Sequence, residues 1–101
     1  MSKLALMVTV ECEAEERTEV VKALLAHRER CLQEEPGTLQ FEVMVPAEDP
    51  TKILLLEVYA DAAAFETHIK GTSILKYRQD NAGKTVRSTH HKCALAQELD
   101  L

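Results

Sequence analysis

The stretch Glu35–Gly71, EPGTLQFEVMVPAEDPTKILLLEVYADAAAFETHIKG, predicts most of the fold. It opens with a Pro-Gly pair, which ends a preceding helix because Pro cannot continue it and Gly accepts positive φ. Residues 38–45 and 52–60 are apolar runs separated by a Pro-bounded segment typical of a turn. Asp61 follows as a helix N-cap ahead of three alanines, and Gly71 ends that helix. The stretch therefore predicts a β-hairpin followed by a short helix.

The segments on either side complete the order of elements. Before this stretch, residues 4–10 are apolar on both faces, as in a central strand, and residues 13 to about 33 carry apolar side chains at helical spacing. After it, Thr72 or Ser73 can cap a further short helix, and residues 85–93 form an unusually polar strand that we expect at a sheet edge or against a polar site. The predicted order is strand, helix, strand, strand, helix, strand.

This order predicts an α+β fold of the ferredoxin-like βαββαβ type, forming a single domain over residues 1–101. Its four-stranded antiparallel sheet carries helices on one face only. The strands nevertheless have apolar residues on both faces, so the second face needs another cover. We expect a second copy of the chain to supply it, giving a homodimer through the open sheet face, in which two sheets pair into a dimeric α/β barrel.

Composition and charge exclude several classes of function. The formal net charge is −5, and the 12 Lys and Arg residues are spread along the chain, so we expect no nucleic-acid partner. The apolar run near the start is followed directly by acidic residues, which is not typical of a signal peptide. No apolar stretch approaches the length of a membrane span. Cys12, Cys31 and Cys93 are odd in number and widely spaced, which favours reduced thiols. We therefore expect a cytoplasmic protein without a membrane contact.

Glu57 and His68 are the best-placed ionisable side chains. Glu57 interrupts an otherwise apolar strand, where a carboxylate is costly unless it is hydrogen-bonded or solvated. His68 borders the buried stripe of its helix, next to Ile69. If that helix covers the Glu57 face of the sheet, the two side chains can form a base or polariser pair. The alternatives are a boundary histidine with a local hydrogen bond, and a carboxylate paired with a basic residue of the dimer partner.

The four aromatic residues could line a flat slot for an aromatic ligand. Phe41 and Tyr59 lie on adjacent strands, while Phe65 and Tyr77 come from the covering helices. Arg78, beside Tyr77, could hold an anionic oxygen of such a ligand. The alternative is that the aromatic side chains only fill the core and that Arg78 faces solvent.

Metal and cofactor sites receive no support from the sequence motifs. His90 and His91 are neighbours on a strand and point to opposite faces, and His91 with Cys93 gives only two ligands. Glycine-rich phosphate loops and Cys-x-x-Cys pairs are absent from the sequence. We therefore predict no metal and no cofactor.

Two segments resemble a known family. Glu35-Pro36-Gly37-Thr38-Leu39 and the run from Leu56 to His68, LEVYADAAAFETH, look like the antibiotic biosynthesis monooxygenase domain. The resemblance implies a small dimeric α+β barrel and a cofactor-independent monooxygenase that oxidises a hydroquinone or polyketide phenol. One departure concerns the segment after the second helix, where the family often has a Pro-His pair and this chain has Thr72-Ser73-Ile74.

The reaction that the resemblance implies needs a base for the phenol, and the candidate residues can be assigned roles in it. His68, oriented by Glu57, would be the base that deprotonates the phenol, and Tyr77 would donate to the developing oxyanion or peroxide. Phe65, Ile74 and Leu75 would exclude water. Two alternatives stay open: an isomerase that moves protons on a small carbonyl compound, and a non-catalytic dimeric ligand-binding or stress-responsive barrel. Haem-degrading relatives depend on a Trp and a well-placed Asn, whereas this chain has no Trp.

Overall fold

The computed structural model describes residues 2–101 and confirms the ferredoxin-like α+β fold. The predicted order of elements is present, with two short helices in the second half as expected. The strands are β1 Leu4–Glu11, β2 Thr38–Met44, β3 Lys52–Tyr59 and β4 Arg87–Cys93; the helices are α1 Arg17–Glu34, α2 Ala62–Ile69 and α3 Thr72–Asp80.

The four strands form one antiparallel sheet in the order β2-β3-β1-β4. β1 lies in the centre, with Leu6 opposite Glu57 of β3 and opposite Lys92 of β4. β4 is the polar edge strand that the sequence predicts, and all its residues except the half-buried Cys93 are exposed. It begins at Arg87 rather than at residue 85.

The core lies between one face of the sheet and the helices. Alternate residues of β1 and β3 point into it, as the period of a strand requires. α1 contributes a stripe at helical spacing from the opposite side. Fully buried members from the sheet and α1 are Val10, Val20, Leu24, Cys31, Phe41, Ile53 and Tyr59.

The ends of the helices follow local chemistry. The expected start of the first helix at Glu13 is instead a capping box, in which Glu13 and Glu16 bind each other's backbone amides around a 3₁₀ turn. The α-helix proper therefore begins at Arg17. Asp61 caps α2 as predicted, because its Oδ1 accepts from the amide of Ala64 at 2.8 Å. Gly37 allows this helix to approach closely, since a Cβ there would collide with Cβ of Ala64.

The opposite face of the sheet is partly apolar. Met7 and Met44 are 42% and 40% exposed on it, and Leu54 and Leu56 beside them are only half-buried. This is the face that we expect a second copy to cover. Within residues 2–101, no helix has the length and apolar character needed to cross a membrane.

Candidate active site

A cavity of about 330 Å³ lies between the sheet and the helices. Every strand and every α-helix contributes to its wall. Seven of the nine predicted site residues line it: Phe41, Glu57, Phe65, His68, Ile74, Tyr77 and Arg78. The cavity reaches solvent near β4, where Ser88 and His90 belong to the wall and are exposed. Glu57 and His68 therefore face one common cavity.

Tyr59 and Leu75, the other two predicted site residues, do not line the cavity. Tyr59 is fully buried behind Glu57, to which its hydroxyl donates a hydrogen bond. Leu75 is 54% exposed, because α3 turns its Ile74 and Tyr77 toward the core instead. The expected apolar wall thus contains Phe65 and Ile74 without Leu75.

His68 is oriented by a residue that the sequence analysis did not select. Its Nδ1 lies 2.9 Å from Oε1 of Glu35, which also accepts from the hydroxyl of Thr38 at 2.8 Å. Glu57, the expected partner, stands on the other side of the ring, with Oε1 3.9 Å from His68 Nε2. That separation is too long for a hydrogen bond. Glu35 therefore holds the ring, and both Nε2 and Glu57 are left to contact a third group.

Glu57 is a buried carboxyl, only 5% exposed. Burial raises its pKa above the ordinary value, while the hydrogen bond from Tyr59 and the nearby His68 oppose that rise. Burial and the charge of Glu57 likewise raise the pKa of the Tyr59 hydroxyl. Glu57 is therefore the member of this pair that stands at the cavity wall, with the Tyr59 hydroxyl hydrogen-bonded behind it.

His27, on α1, is a second histidine at the cavity wall. Its Nδ1 lies 2.8 Å from the hydroxyl of Ser73, and Arg30 donates to the same hydroxyl at 2.9 Å. Its ring stacks on that of Tyr77 with centroids 5.3 Å apart. Burial, followed by the charges of His68 and Arg30, lowers the pKa of His27 to about 4. The imidazole is therefore neutral at pH 7.

Cys31 lies one helical turn beyond His27 and is fully buried. Its Sγ contacts Nδ1 of His27 at 3.5 Å and Nδ1 of His68 at 3.6 Å. Burial raises the pKa of this thiol to about 12. Sequence reasoning missed His27 and Cys31, although their spacing of four residues on the apolar stripe of α1 was a usable signal.

Tyr77 has a buried hydroxyl without a hydrogen-bond partner among the residues that the structure describes. The side chain of Asn81 is near it, and neither its amide nitrogen nor its oxygen has a partner within residues 2–101. Burial raises the pKa of Tyr77 to about 12, so the hydroxyl keeps its proton and can donate it. A buried polar group left in this state is costly unless a ligand or water bonds to it.

The histidines of β4 lie on different faces, as the strand period predicts. His90 is opposite Val8 and belongs to the cavity wall, whereas His91 is opposite Met7 and points to the other face. Lys92 stands over the ring of Phe65, 5.0 Å from its centroid. The cavity rim near β4 is therefore polar, while its interior is mostly apolar.

The sequence of residues 4–80 matches the family described as antibiotic biosynthesis monooxygenase. The chain belongs to this family. The resemblance of the segments around Glu35 and His68 to antibiotic biosynthesis monooxygenases is thereby confirmed, and the match runs from β1 through α3. No curated protein shows a significant sequence match.

Solved structures with the same fold include further proteins of this kind. One from Nitrosomonas europaea, provisionally named an antibiotic biosynthesis monooxygenase, has a TM-score of 0.86 at 18% identity, covering 96% of this chain and 93% of its own. One from Caulobacter crescentus, named in the same way, has a TM-score of 0.78 at 17% identity, covering 91% and 90%. One from Bacteroides thetaiotaomicron, of unknown function and described as a possible oxidoreductase, has a TM-score of 0.84 at 16% identity, covering 93% and 98%. At these identities the likeness shows the fold alone.

Proposed function

We propose that the protein is a cofactor-independent monooxygenase that oxidises an electron-rich aromatic, a hydroquinone or polyketide phenol, with dioxygen. Membership of the antibiotic biosynthesis monooxygenase family supports the reaction class. The observation that carries the proposal for this chain is the placement of His68, held by Glu35 on one nitrogen and directed at a cavity by the other.

The chemistry can be balanced without a cofactor. A hydroquinone and one dioxygen give a hydroxyquinone and one water, and the substrate itself supplies all four electrons. Removal of the phenolic proton comes first, because a phenolate transfers an electron to dioxygen far more readily than a phenol. Combination of the resulting radical pair forms the new C–O bond, and loss of water from the hydroperoxide leaves the carbonyl.

His68 is the proposed base. With Nδ1–H donated to Glu35, its Nε2 carries the free lone pair on the side where Glu57 lies 3.9 Å away. A phenolic hydroxyl bound between Nε2 and Glu57 would give its proton to the imidazole, and Glu35 would stabilise the imidazolium. The imidazolium then returns this proton to the peroxide anion to give the hydroperoxide, and the proton of the ring C–H leaves with the hydroxide as water. Glu35 thus takes the orienting role that was expected of Glu57. We assign Glu57 instead to contact with the substrate.

The rest of the cavity suits an aromatic substrate. Ligand pockets commonly start at roughly 300 Å³, so about 330 Å³ accommodates a substituted ring. Phe41, Phe65 and Ile74 give apolar walls, and the partnerless hydroxyl of Tyr77 is the proposed donor to the oxyanion or peroxide. Arg78, exposed at the cavity, is placed to contact an anionic substituent.

The proposal includes a homodimer through the open sheet face. Support comes from the exposed Met7 and Met44 and the half-buried Leu54 and Leu56, which form one apolar area on the face without helices. Multi-angle light scattering should give twice the chain mass at micromolar concentration, and Leu56→Lys should shift it toward the monomer. A strictly monomeric wild type would remove this part of the proposal.

The test of the function is oxygen uptake with a panel of hydroquinones and polyketide phenols. We expect at least one substrate to be oxidised, and His68→Gln to lower kcat by roughly 10²-fold. Thr67→Ala is the matched control, since this neighbour is exposed and bonds only to the backbone of its own helix. Turnover that persists under argon would replace the oxygenase with an isomerase. Tight binding of an aromatic ligand without turnover would indicate a non-catalytic barrel.

A further inference from the structure

His27, Cys31 and His68 form a buried cluster beside the cavity, whose wall includes the two histidines. His27 and Cys31 lie four residues apart on α1 and so share one face, and His68 reaches them from α2. One ligand atom of each lies within 4.8 Å of the other two. Each residue is at most 3% exposed. Imidazole nitrogen and thiolate sulfur are the donors that zinc takes in proteins.

The spacing of these atoms is that of ligands around a tetrahedral ion. Zinc bonds of about 2.05 Å to nitrogen and about 2.3 Å to sulfur place two such ligand atoms about 3.6 Å apart at the tetrahedral angle. Cys31 Sγ lies 3.6 Å from Nδ1 of His68, and 3.5 and 3.8 Å from the two ring nitrogens of His27. The sulfur-to-nitrogen distances therefore already match those of ligands to one ion, and one nitrogen of each histidine lies within 4.8 Å of the other.

Neighbouring polar groups support the same arrangement. Ser73, fixed by Arg30, lies 2.8 Å from Nδ1 of His27, so the tautomer that donates to Ser73 leaves Nε2 free for a metal. Glu35 Oε1 accepts from Nδ1 of His68 at 2.9 Å, so an ion on that nitrogen would take the place of a proton beside a carboxylate. An entry path exists, because His27 and His68 line the cavity.

We propose that these residues form a zinc site, with His27 Nε2, Cys31 Sγ and His68 Nδ1 as its three protein ligands and water in the fourth position. A thiolate with two imidazoles selects zinc over magnesium and calcium, which prefer oxygen. Binding expels the proton of the buried thiol, so each ion bound should release a proton to solution.

One consequence rests on the proposed function. A metal on Nδ1 of His68 moves the ring proton to Nε2, which can then no longer accept the phenolic proton. The zinc-loaded protein should therefore lose oxygen uptake, and a chelator should restore it. The binding test below does not use this activity, so the two proposals can fail independently.

The test is a titration of the metal-free, reduced protein with Co²⁺, followed by absorption. We expect the visible bands of tetrahedral cobalt and a near-ultraviolet thiolate-to-cobalt charge-transfer band, saturating at one ion per chain and displaced by Zn²⁺. Cys31→Ser should abolish the charge-transfer band. Cys93→Ser is the matched control and should keep it, because Cys93 lies in β4 outside the cluster.

Three spectroscopic outcomes overturn the site. Absence of these bands from the wild type excludes it, and a charge-transfer band that persists in Cys31→Ser or disappears in Cys93→Ser places the thiolate ligand elsewhere. Far-ultraviolet circular dichroism checks that Cys31→Ser is folded. If Cys31→Ser does not fold, His27→Gln and His68→Gln are used in its place, and each must weaken zinc binding by at least about tenfold. Cobalt binding without any oxygen uptake would leave the metal site standing and count against the proposed function alone.

Discussion

Replacement of Tyr59 by Phe should destabilise the protein because it removes a buried hydrogen bond to a carboxyl. Tyr59 is 0% exposed, and its hydroxyl donates to Glu57, which is 5% exposed and whose pKa is raised by burial. A hydrogen bond to a charged group contributes about 1.5–3 kcal/mol, and among the described residues no other side chain donates to Glu57. We expect Tyr59→Phe to lower the free energy of unfolding by about 2 kcal/mol, which for a domain of this size lowers Tm by roughly 10 °C.

The assay is urea unfolding followed by far-ultraviolet circular dichroism, with Tyr77→Phe as the matched control. The Tyr77 hydroxyl is also buried but has no partner within residues 2–101, so its loss should cost less than about 0.5 kcal/mol. A double-mutant cycle with Glu57→Gln should give a coupling of about 1 kcal/mol or more between the two side chains. Equal losses in Tyr59→Phe and Tyr77→Phe, with no coupling to Glu57, would refute this reasoning.

Three further predictions address the fold and the site. Gly37→Ala should lower the free energy of unfolding by about 1–3 kcal/mol, because its Cβ collides with Ala64, and a second change, Ala64→Gly, should recover part of that loss in urea unfolding. Asp61→Ala should cost about 1 kcal/mol by thermal or urea unfolding, since it removes the cap on the Ala64 amide, whereas the exposed Asp100→Ala should cost almost nothing. Glu35→Ala should lower kcat in oxygen uptake by roughly 10²-fold by removing the acceptor that holds the ring of His68, and Glu34→Ala, exposed beside it, should not. Equal rates for these last two variants would exclude Glu35 as the orienting residue.

The elements of the fold follow from local patterns in the sequence. Hydrophobic alternation predicts β2 and β3. Asp61 and Gly71 bound the segment that contains α2, and such boundaries can be read from the sequence because caps and turns depend on neighbouring residues in the chain. The start of α1 differs from the prediction because the Glu13–Glu16 capping box tightens the first turn into a 3₁₀ turn. Helix boundaries of this kind depend on cap geometry rather than on periodicity.

The site could be predicted only in part, because its key contacts join distant residues. Glu57 and His68 stand out as polar groups among apolar neighbours, and the structure does place them at one cavity. The bond between Glu35 and His68 spans 33 positions and depends on how the end of α1 meets α2. The spacing of His27 and Cys31 on α1 indicates that they share a face, but the contact of His27 with Ser73 spans 46 positions and becomes visible only after packing.

Oxygen consumption tests the central claim most directly. With a suitable hydroquinone, the wild-type protein without added cofactor should consume one dioxygen per substrate and form the hydroxyquinone, while His68→Gln should be roughly 10²-fold slower. If no hydroquinone or polyketide phenol in the panel is consumed faster by the wild type than by His68→Gln, the claim that His68 acts as the base of an oxygenase is contradicted.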